Sequence, residues 1–157
     1  MDKCNCALCG EYLSKENVVC EYKHTFLMFN RYPYLVGHLM LVPKRPVATL
    51  SELTPEERIE TFDKIIEAQY ILLRALADFG VTSTNVGINT GPHSGGSIQT
   101  HVHVHIVPRR LNDTYFLHTC INSGDLEGIG SARNPTMFCG MYENARKKIL
   151  VVAQQIE

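Results

Sequence analysis

The chain has 157 residues, with 15 lysines and arginines against 16 aspartates and glutamates, and 45% of its residues are hydrophobic. This near-neutral balance gives no overall electrostatic attraction to nucleic acid or to an anionic membrane surface. The longest apolar runs, 39–42 and 149–153, are far shorter than the roughly 20 residues of a membrane-spanning helix. We therefore expect one domain over 1–157 that binds a small molecule or a protein, with no nucleic acid and no membrane as partners.

The amino-terminal segment 1–17 is polar and contains three cysteines without a helical or strand period. It lacks the apolar core of a signal peptide. This predicts a reducing, cytoplasmic location, in which the six cysteines need not form disulfides.

Short runs rich in valine, phenylalanine and tyrosine follow, and such runs are typical of strands. Residues 18–23 and 25–29 are predicted to pair as a hairpin, and residues 38–43 are predicted to form a buried strand that ends at its proline. Two later segments, 84–89 and 101–107, alternate in polarity and predict further strands.

A long helix is predicted after these first three strands. Residues 54–57, Thr-Pro-Glu-Glu, combine a hydroxyl N-cap, a proline at the first helical position and an acid at the third, which is typical of a helix start. Apolar residues then recur at helical spacing as far as Gly80, and we expect them to pack on a sheet as core. They are Ile59, Phe62, Ile65, Ile66, Leu72, Leu73, Leu76 and Phe79. A loop-rich extension over 110–140 precedes a predicted C-terminal helix over 142–155.

Three histidines alternate with aliphatic residues in the segment 101–107. Since side chains on a strand alternate between faces, His101, His103 and His105 are predicted to share one face, while the aliphatic residues pack under the long helix. Imidazoles in this arrangement suit metal ligation, or covalent catalysis in which one ring attacks an electrophile. The glycine-rich loop 91–97 can present backbone N–H groups to an anion, which favours attack on a phosphate.

The segment 95–109, Gly-Gly-Ser-Ile-Gln-Thr-His-Val-His-Val-His-Ile-Val-Pro-Arg, resembles the signature of the histidine triad family. Residues 29–43 are similar to the family's first ribose-binding segment, so the resemblance covers 18–118. Within the family, Asn30, the Gly-Gly-Ser loop and the sequence at 112–116 are most similar to the branch of the fragile histidine triad proteins and diadenosine tetraphosphate phosphorylases. The resemblance implies an α+β fold with a five-stranded antiparallel sheet, one long helix and one C-terminal helix, usually paired as a homodimer whose sheets join.

The resemblance also implies roles for individual residues. His103 would be the nucleophile that takes a nucleoside monophosphate from an α-phosphate, and His105 would bind the phosphate oxygens. His101 and His38 would orient the triad. In a phosphorylase inorganic phosphate releases the intermediate, in a hydrolase water does, and the sequence leaves this choice open. The residues implied to bind the nucleotide are Asn30 at the ribose and Asn89, Gly96 and Ser97 at the phosphates.

Several of these residues also have purely structural interpretations. Asn30 could cap a turn before Pro33, and Asn89 and the loop glycines could serve only the geometry of the loop. Ser97 stands where many hydrolases of the family carry glutamine, which favours the phosphorylase-like branch. His93 has no counterpart in the family motif and is expected to be solvated.

Cys6 and Cys9 form a Cys-x-x-Cys pair, whose thiolates can both reach one tetrahedral zinc ion. Zinc-bearing relatives complete such a site with the first triad histidine, here His101, and with a histidine that Pro46 replaces in this chain. Either another group replaces this ligand or the cysteines are metal-free. A zinc ion with four protein ligands would be structural, so no cofactor is expected to be required for the chemistry. The candidate replacement ligands are Cys4 and Cys20.

The leading functional hypothesis is an enzyme that transfers a nucleoside monophosphate from a dinucleoside polyphosphate or a related nucleotide through His103. One alternative is a nucleotide-dependent regulatory or binding protein whose slow hydrolysis is incidental. Another is a metalloenzyme whose ion is ligated by the triad, although Asp113 is the first acidic residue after the strand.

Overall fold

The computed structural model describes residues 6–111, 113 and 139–156. Its helices and strands in chain order are α1 (Ala7–Ser14), β1 (Val18–Glu21), β2 (Thr25–Phe29), β3 (Leu39–Pro43), α2 (Pro55–Ala75), β4 (Val81–Ile88), β5 (Val104–Arg110) and α3 (Cys139–Ala153). Two short 3-10 turns, Leu50–Glu52 and Ala77–Phe79, flank α2. Most of the predicted loop-rich extension over 110–140 lies outside the described residues.

The five strands form one antiparallel sheet in the order β1-β2-β3-β5-β4. The predicted hairpin pairs β1 with β2, and β2 pairs with β3 from Thr25 opposite Pro43 to Phe29 opposite Leu39. β5, which continues the triad segment, lies between β3 and β4. The α+β class and the five-stranded antiparallel sheet are thus confirmed.

The triad strand differs from its prediction at both ends. β5 begins only at Val104, so His101 and His103 precede it, and it continues beyond Pro108. Its pairing with β3 ends at Ile106, and from there on β4 is its partner within the described residues. Proline has no backbone N–H and is tolerated in a strand where no neighbouring strand needs that hydrogen bond. Pro108 therefore does not end β5.

The start of α2 is built as the sequence predicts. Thr54 Oγ1 accepts a hydrogen bond from the backbone N–H of Glu57 over 3.2 Å, and the Glu57 carboxylate accepts one from the Thr54 N–H over 2.8 Å. Arg45 donates to the same carboxylate and is the main cause of the lowered pKa of Glu57. The capping box therefore also joins the helix to the chain that follows β3.

The apolar stripe of α2 is divided between two faces, so the prediction that all of it is core is wrong. The residues that pack against the sheet and α3 are Ile65, Ala68, Ile71, Leu72, Ala75 and Leu76. Four of the residues predicted as core are exposed, namely Ile59, Phe62, Ile66 and Leu73. Both the buried and the exposed apolar residues recur at spacings of three and four. The helical period alone therefore does not show which of the two sets faces the sheet.

The amino-terminal helix α1 was not predicted, because its sequence has no clear hydrophobic period. Leu8 is its buried anchor. This side chain packs on the side of the sheet opposite α2, in a cluster with Phe26, Met28, Met40 and Val42. Since Met40 is paired with His105, α1 covers the sheet next to the triad.

The predicted C-terminal helix is present as α3, which begins three residues earlier than expected. Ala145, Ile149 and Ala153 bury its inner face in the same core as α2. None of the described helices combines the length and hydropathy that a bilayer crossing requires. The assignment of 1–157 to a single domain stays a prediction.

Candidate active site

The pairing of β3 with β5 brings His38 to the triad. Leu39 lies opposite Ile106 and Met40 lies opposite His105. His38, the residue just before β3, therefore lies beside the imidazoles of the triad segment. His38 Nε2 is 3.0 Å from His105 Nδ1. The ring centroids of His105 and His103 are 4.7 Å apart with the rings edge to face. Three imidazoles therefore form one cluster.

The hydrogen-bond partners of His38 and His105 determine where their protons lie. The backbone N–H of Tyr34 donates to His38 Nδ1 over 3.1 Å, so this nitrogen carries a lone pair. Neutral His38 then carries its proton on Nε2 and donates it to His105 Nδ1. Neutral His105 in turn carries its proton on Nε2, a buried atom with no hydrogen-bond partner among the described residues. A buried N–H of this kind is suited to an anion.

Whereas His105 presents an N–H donor, His103 presents a nitrogen lone pair. Its Nδ1 is 2.9 Å from the backbone carbonyl oxygen of His101, which can only accept, so Nδ1 carries the proton and Nε2 is free of it. Burial lowers the pKa of His103 below its usual value of 6.5, and the hydrogen bond to the carbonyl opposes this only in part. At neutral pH His103 therefore has a neutral ring with a nucleophilic Nε2.

The neighbouring rings are uncharged for the same physical reason. Burial, and then the charge of His103, lowers the pKa of His105 to about 4. Burial also holds the pKa of His38 well below its usual value, with smaller contributions from His105 and His103. Because every imidazole in the cluster resists protonation, the tautomers derived above are those present at neutral pH.

Asn30 lies beside His38 and is buried. Its Oδ1 accepts a hydrogen bond from the backbone N–H of Tyr32 over 2.8 Å. This contact is the turn capping that the structural interpretation of Asn30 predicted. Its amide nitrogen is 3.2 Å from His38 Nδ1 and 3.4 Å from Nε2. The side chain therefore borders the imidazole cluster, and its ribose role stays a prediction.

The loop between β4 and β5 places two of the predicted phosphate ligands together. A Cβ added to Gly96 would lie 3.0 Å from the Cβ of Asn89, so glycine allows the loop backbone to pass close to this side chain. Ser97 and His93 are exposed, the latter as expected. The roles of Asn89, Gly96 and Ser97 toward phosphate stay predictions.

His101 turns its ring away from the cluster and toward α1. Its Nδ1 is 3.2 Å from Cys6 Sγ and 3.6 Å from Cys9 Sγ. Its Nε2 lies 2.8 Å from the carbonyl oxygen of Pro43, so the proton is on Nε2 and the lone pair of Nδ1 faces the two thiols. Burial is the main cause of the lowered pKa of His101.

Cys6, Cys9 and His101 form a group whose ligand atoms all lie within 4.8 Å of one another. Two thiols and one imidazole lone pair are donors that zinc binds, so this set fits the ion. The three triad rings do not form one ligand set, and the alternative of a catalytic ion ligated by all three is wrong for the part of the chain that the structure describes. Cys20 packs in the core beside α2, and Cys4 lies outside the described residues.

Tyr34 is a site residue that the sequence did not reveal. Its ring stacks on that of His38, with centroids 4.7 Å apart and an interplanar angle of 28°. The only signal in the sequence is an aromatic residue after Pro33, and such a pair is too common in loops to indicate a site.

A family model described as the HIT domain matches residues 13–112. A relative from Mycobacterium tuberculosis named AP-4-A phosphorylase is 39% identical over 100 residues, which cover 64% of this chain and 50% of the relative. A relative from Schizosaccharomyces pombe named asymmetrical bis(5'-nucleosyl)-tetraphosphatase is 32% identical over 105 residues, covering 64% of this chain and 56% of the relative. The chain thus spans about half the length of the curated relatives it matches.

Among solved structures, a Zn-bound histidine triad family protein from Mycobacterium smegmatis is similar over 97% of this chain and 95% of its own. The TM-score is 0.62 and the sequence identity is 18%. At this identity the likeness shows a shared fold and no more.

Proposed function

Because this chain belongs to the histidine triad (HIT) family, we propose that it transfers a nucleoside monophosphate from a dinucleoside polyphosphate, or a related nucleotide, to phosphate or water. The observation that carries this proposal is the pair formed by the His103 Nε2 lone pair and the Nε2–H of His105, which has no hydrogen-bond partner among the described residues. One group can attack phosphorus while the other binds an oxygen of the same phosphate. The names of the two curated relatives support the substrate class.

In the first step, Nε2 of His103 attacks the α-phosphorus. A nitrogen–phosphorus bond forms, the bond from this phosphorus to the bridging oxygen breaks, and the remaining polyphosphate leaves with the electron pair. The Nδ1–H of His103 keeps its bond to the His101 carbonyl, which holds the ring that has become positively charged. The His105 Nε2–H stabilises the charge that develops on the phosphate oxygens.

In the second step, an acceptor oxygen attacks the same phosphorus and the nitrogen–phosphorus bond breaks, which restores neutral His103. Phosphate as acceptor yields a nucleoside diphosphate, and water yields a nucleoside monophosphate. We favour phosphate, because Ser97 stands where many hydrolases of the family carry glutamine. Asn30 at the ribose, and Asn89, Gly96 and Ser97 at the phosphates, complete the proposed nucleotide site.

The acceptor is tested by incubating the protein with diadenosine tetraphosphate, with and without inorganic phosphate, and identifying the products by mass. We expect ADP and ATP in equal amounts, and only when phosphate is added. AMP and ATP formed without phosphate would show that water is the acceptor. Cleavage in neither condition, with the nucleotide still bound, would overturn the enzymatic proposal in favour of a nucleotide-dependent regulatory protein.

We also propose that Cys6, Cys9 and His101 hold a structural zinc ion that ties α1 to the triad segment. The support is the donor set itself and the zinc-bound relative of the same fold. Zinc binding requires thiols that are kept reduced, as a cytoplasmic compartment would keep them. When bound, the ion supplies a cross-link and takes no part in the transfer.

Metal content tests this site. We expect about one zinc per purified chain, and close to none in the double variant Cys6→Ser, Cys9→Ser, because the two thiolates supply most of the affinity. Cys20→Ala is the matched control, since this cysteine lies in the core away from the group, and it should keep its zinc. Equal zinc in the double variant and the control, measured by elemental mass spectrometry, would contradict the proposed ligands.

We propose that two copies pair through α2 and the outer edge of β4. The exposed side of α2 carries the apolar residues Ile59, Phe62, Ile66, Tyr70 and Leu73. Beside this helix, β4 is the outermost strand of the sheet that the described residues form. A two-fold axis at this edge would pair β4 antiparallel with its copy, supply partners to the backbone groups along the edge and cover the stripe.

The dimer is tested by placing charges on this stripe. We expect the double variant Phe62→Glu, Ile66→Glu to be monomeric, because two buried carboxylates on each side of the interface would lack partners. Leu13→Glu is a control at an exposed leucine of α1 and should stay dimeric. The measurement is light scattering after size exclusion. A monomeric parent chain, or a double variant that stays dimeric, would be evidence against this interface.

A further inference from the structure

Tyr34 contacts the His38–His105 pair in two ways, and none of the roles proposed above uses it. Its ring stacks on the His38 ring, and its centroid lies 5.9 Å from that of His105. Its backbone N–H donates to His38 Nδ1. The same residue therefore contacts His38 at the face of the ring and at its edge.

We propose that Tyr34 is a positioning residue, whose ring keeps His38 in the orientation that directs the Nε2–H of His105 toward the substrate phosphate. The proposal rests on the proposed nucleotidyl transfer, because that reaction supplies the anion. Tyr34 itself touches neither the reacting atoms nor the phosphate in this role.

The physical basis is that the hydrogen bond from His38 to His105 depends on the tilt of the His38 ring. A ring that tilts about its hydrogen bond to the Tyr34 N–H would carry Nε2 away from His105. His105 Nδ1 would then lose the donor that now lies 3.0 Å away. Without this donor, the proton of His105 can lie on Nδ1, and the Nε2 that faces the phosphate can no longer donate.

Asn30 does not fix the orientation of His38 in this way. Its amide nitrogen is almost equally distant from the two ring nitrogens, at 3.2 and 3.4 Å, so it faces the ring and is not directed along one lone pair. The backbone N–H of Tyr34 selects Nδ1 as the acceptor, but one hydrogen bond allows the ring to tilt about it. The stacked aromatic ring restricts that tilt and keeps water from the face of His38.

The test compares Tyr34→Leu, which removes the flat ring but keeps an apolar side chain, with Tyr34→Phe, which keeps the ring. With diadenosine tetraphosphate we expect kcat of Tyr34→Leu to fall about tenfold while KM changes by less than about threefold. Tyr34→Phe should stay close to the parent in both. A thermal melt of each variant establishes that it is folded. If Tyr34→Leu does not fold, Tyr34→Met takes its place with the same expectations.

The second measurement is the proton position on the imidazoles, observed by nitrogen NMR of protein labelled with ¹⁵N-histidine, without nucleotide. We expect His38 and His105 to carry the proton on Nε2 alone in the parent and in Tyr34→Phe. In Tyr34→Leu we expect a mixture of the two tautomers on His105. Unchanged tautomers and unchanged kcat in Tyr34→Leu, or an equal loss in Tyr34→Phe, would overturn the positioning role.

The NMR measurement also separates this proposal from the proposed function. If the parent chain cleaves no nucleotide but the tautomers change only in Tyr34→Leu, the transfer reaction fails and the effect of Tyr34 on the two histidines stands. If the parent is active and the tautomers of Tyr34→Leu match it, the positioning role fails and the transfer reaction stands.

Discussion

Replacement of His103 by alanine is expected to lower kcat for diadenosine tetraphosphate by about 1,000-fold or more, while the nucleotide still binds. The nitrogen that would form the covalent bond is lost, and the His105 N–H that is proposed to bind the phosphate is kept. The measurements are initial rates for turnover and calorimetry for binding. Retained binding with lost turnover identifies a group that acts in the chemical step.

The control for this variant is His93→Ala, because His93 is an exposed histidine of the nearby loop and has no assigned role. Its kcat should stay within about twofold of the parent value. Acid-labile, base-stable label from nucleotide radiolabelled at the α-phosphorus should appear on the parent and on His93→Ala, but not on His103→Ala. Turnover of His103→Ala at the parent rate would end the proposal of a nucleotidyl-histidine on this residue.

A second large effect is expected at Gly37, directly before His38. This glycine has a φ of +92°, and a Cβ at this position would lie 2.5 Å from Leu76 Cδ1 and 3.4 Å from Pro108 Cγ. Alanine would be strained by the backbone conformation and would also push against the core. We expect Gly37→Ala to lower the free energy of unfolding by about 2–4 kcal/mol, measured by urea denaturation.

Gly80→Ala separates the two contributions. Gly80 has a φ of +76°, but a Cβ there would meet no atom within 4 Å. This variant should lose only about 1 kcal/mol, because it has the backbone strain without the steric overlap. Equal losses in the two variants would show that packing against Leu76 does not constrain Gly37.

The sequence predicted local structure correctly where a few adjacent residues determine it. The runs of valine and phenylalanine at 18–29 became β1 and β2, and the capping box of Thr54 and Glu57 began α2. The capping box joins residues three positions apart, and the hairpin joins two runs that are adjacent in the chain, so both depend on local contacts. The glycine-rich loop before the histidines likewise allows a close approach of the backbone at Gly96.

The errors arose where contacts between distant segments decide the structure. Apolar residues at spacings of three and four occur on two faces of α2, and the spacing does not distinguish these faces. Packing on the sheet decides that Leu72 is buried and Phe62 is exposed. Helix α1 has little hydrophobic period of its own, and its burial comes from Leu8 on the far side of the sheet. Strand β5 continued through Pro108 because its pairing with β3 had already ended.

The sequence by itself determined which residues are candidates for the chemistry, since three alternating histidines after a glycine-rich loop offer imidazole nitrogens, and Cys6 and Cys9 offer thiols. Only the tertiary structure decided which of these residues join the imidazole cluster and which join the thiol group. The register of β3 and β5 placed His38 against His105, and α1 brought the two thiols to His101. The reason is that a proton position or a ligand set depends on which groups face each other across strands, and that pairing is a property of the folded chain.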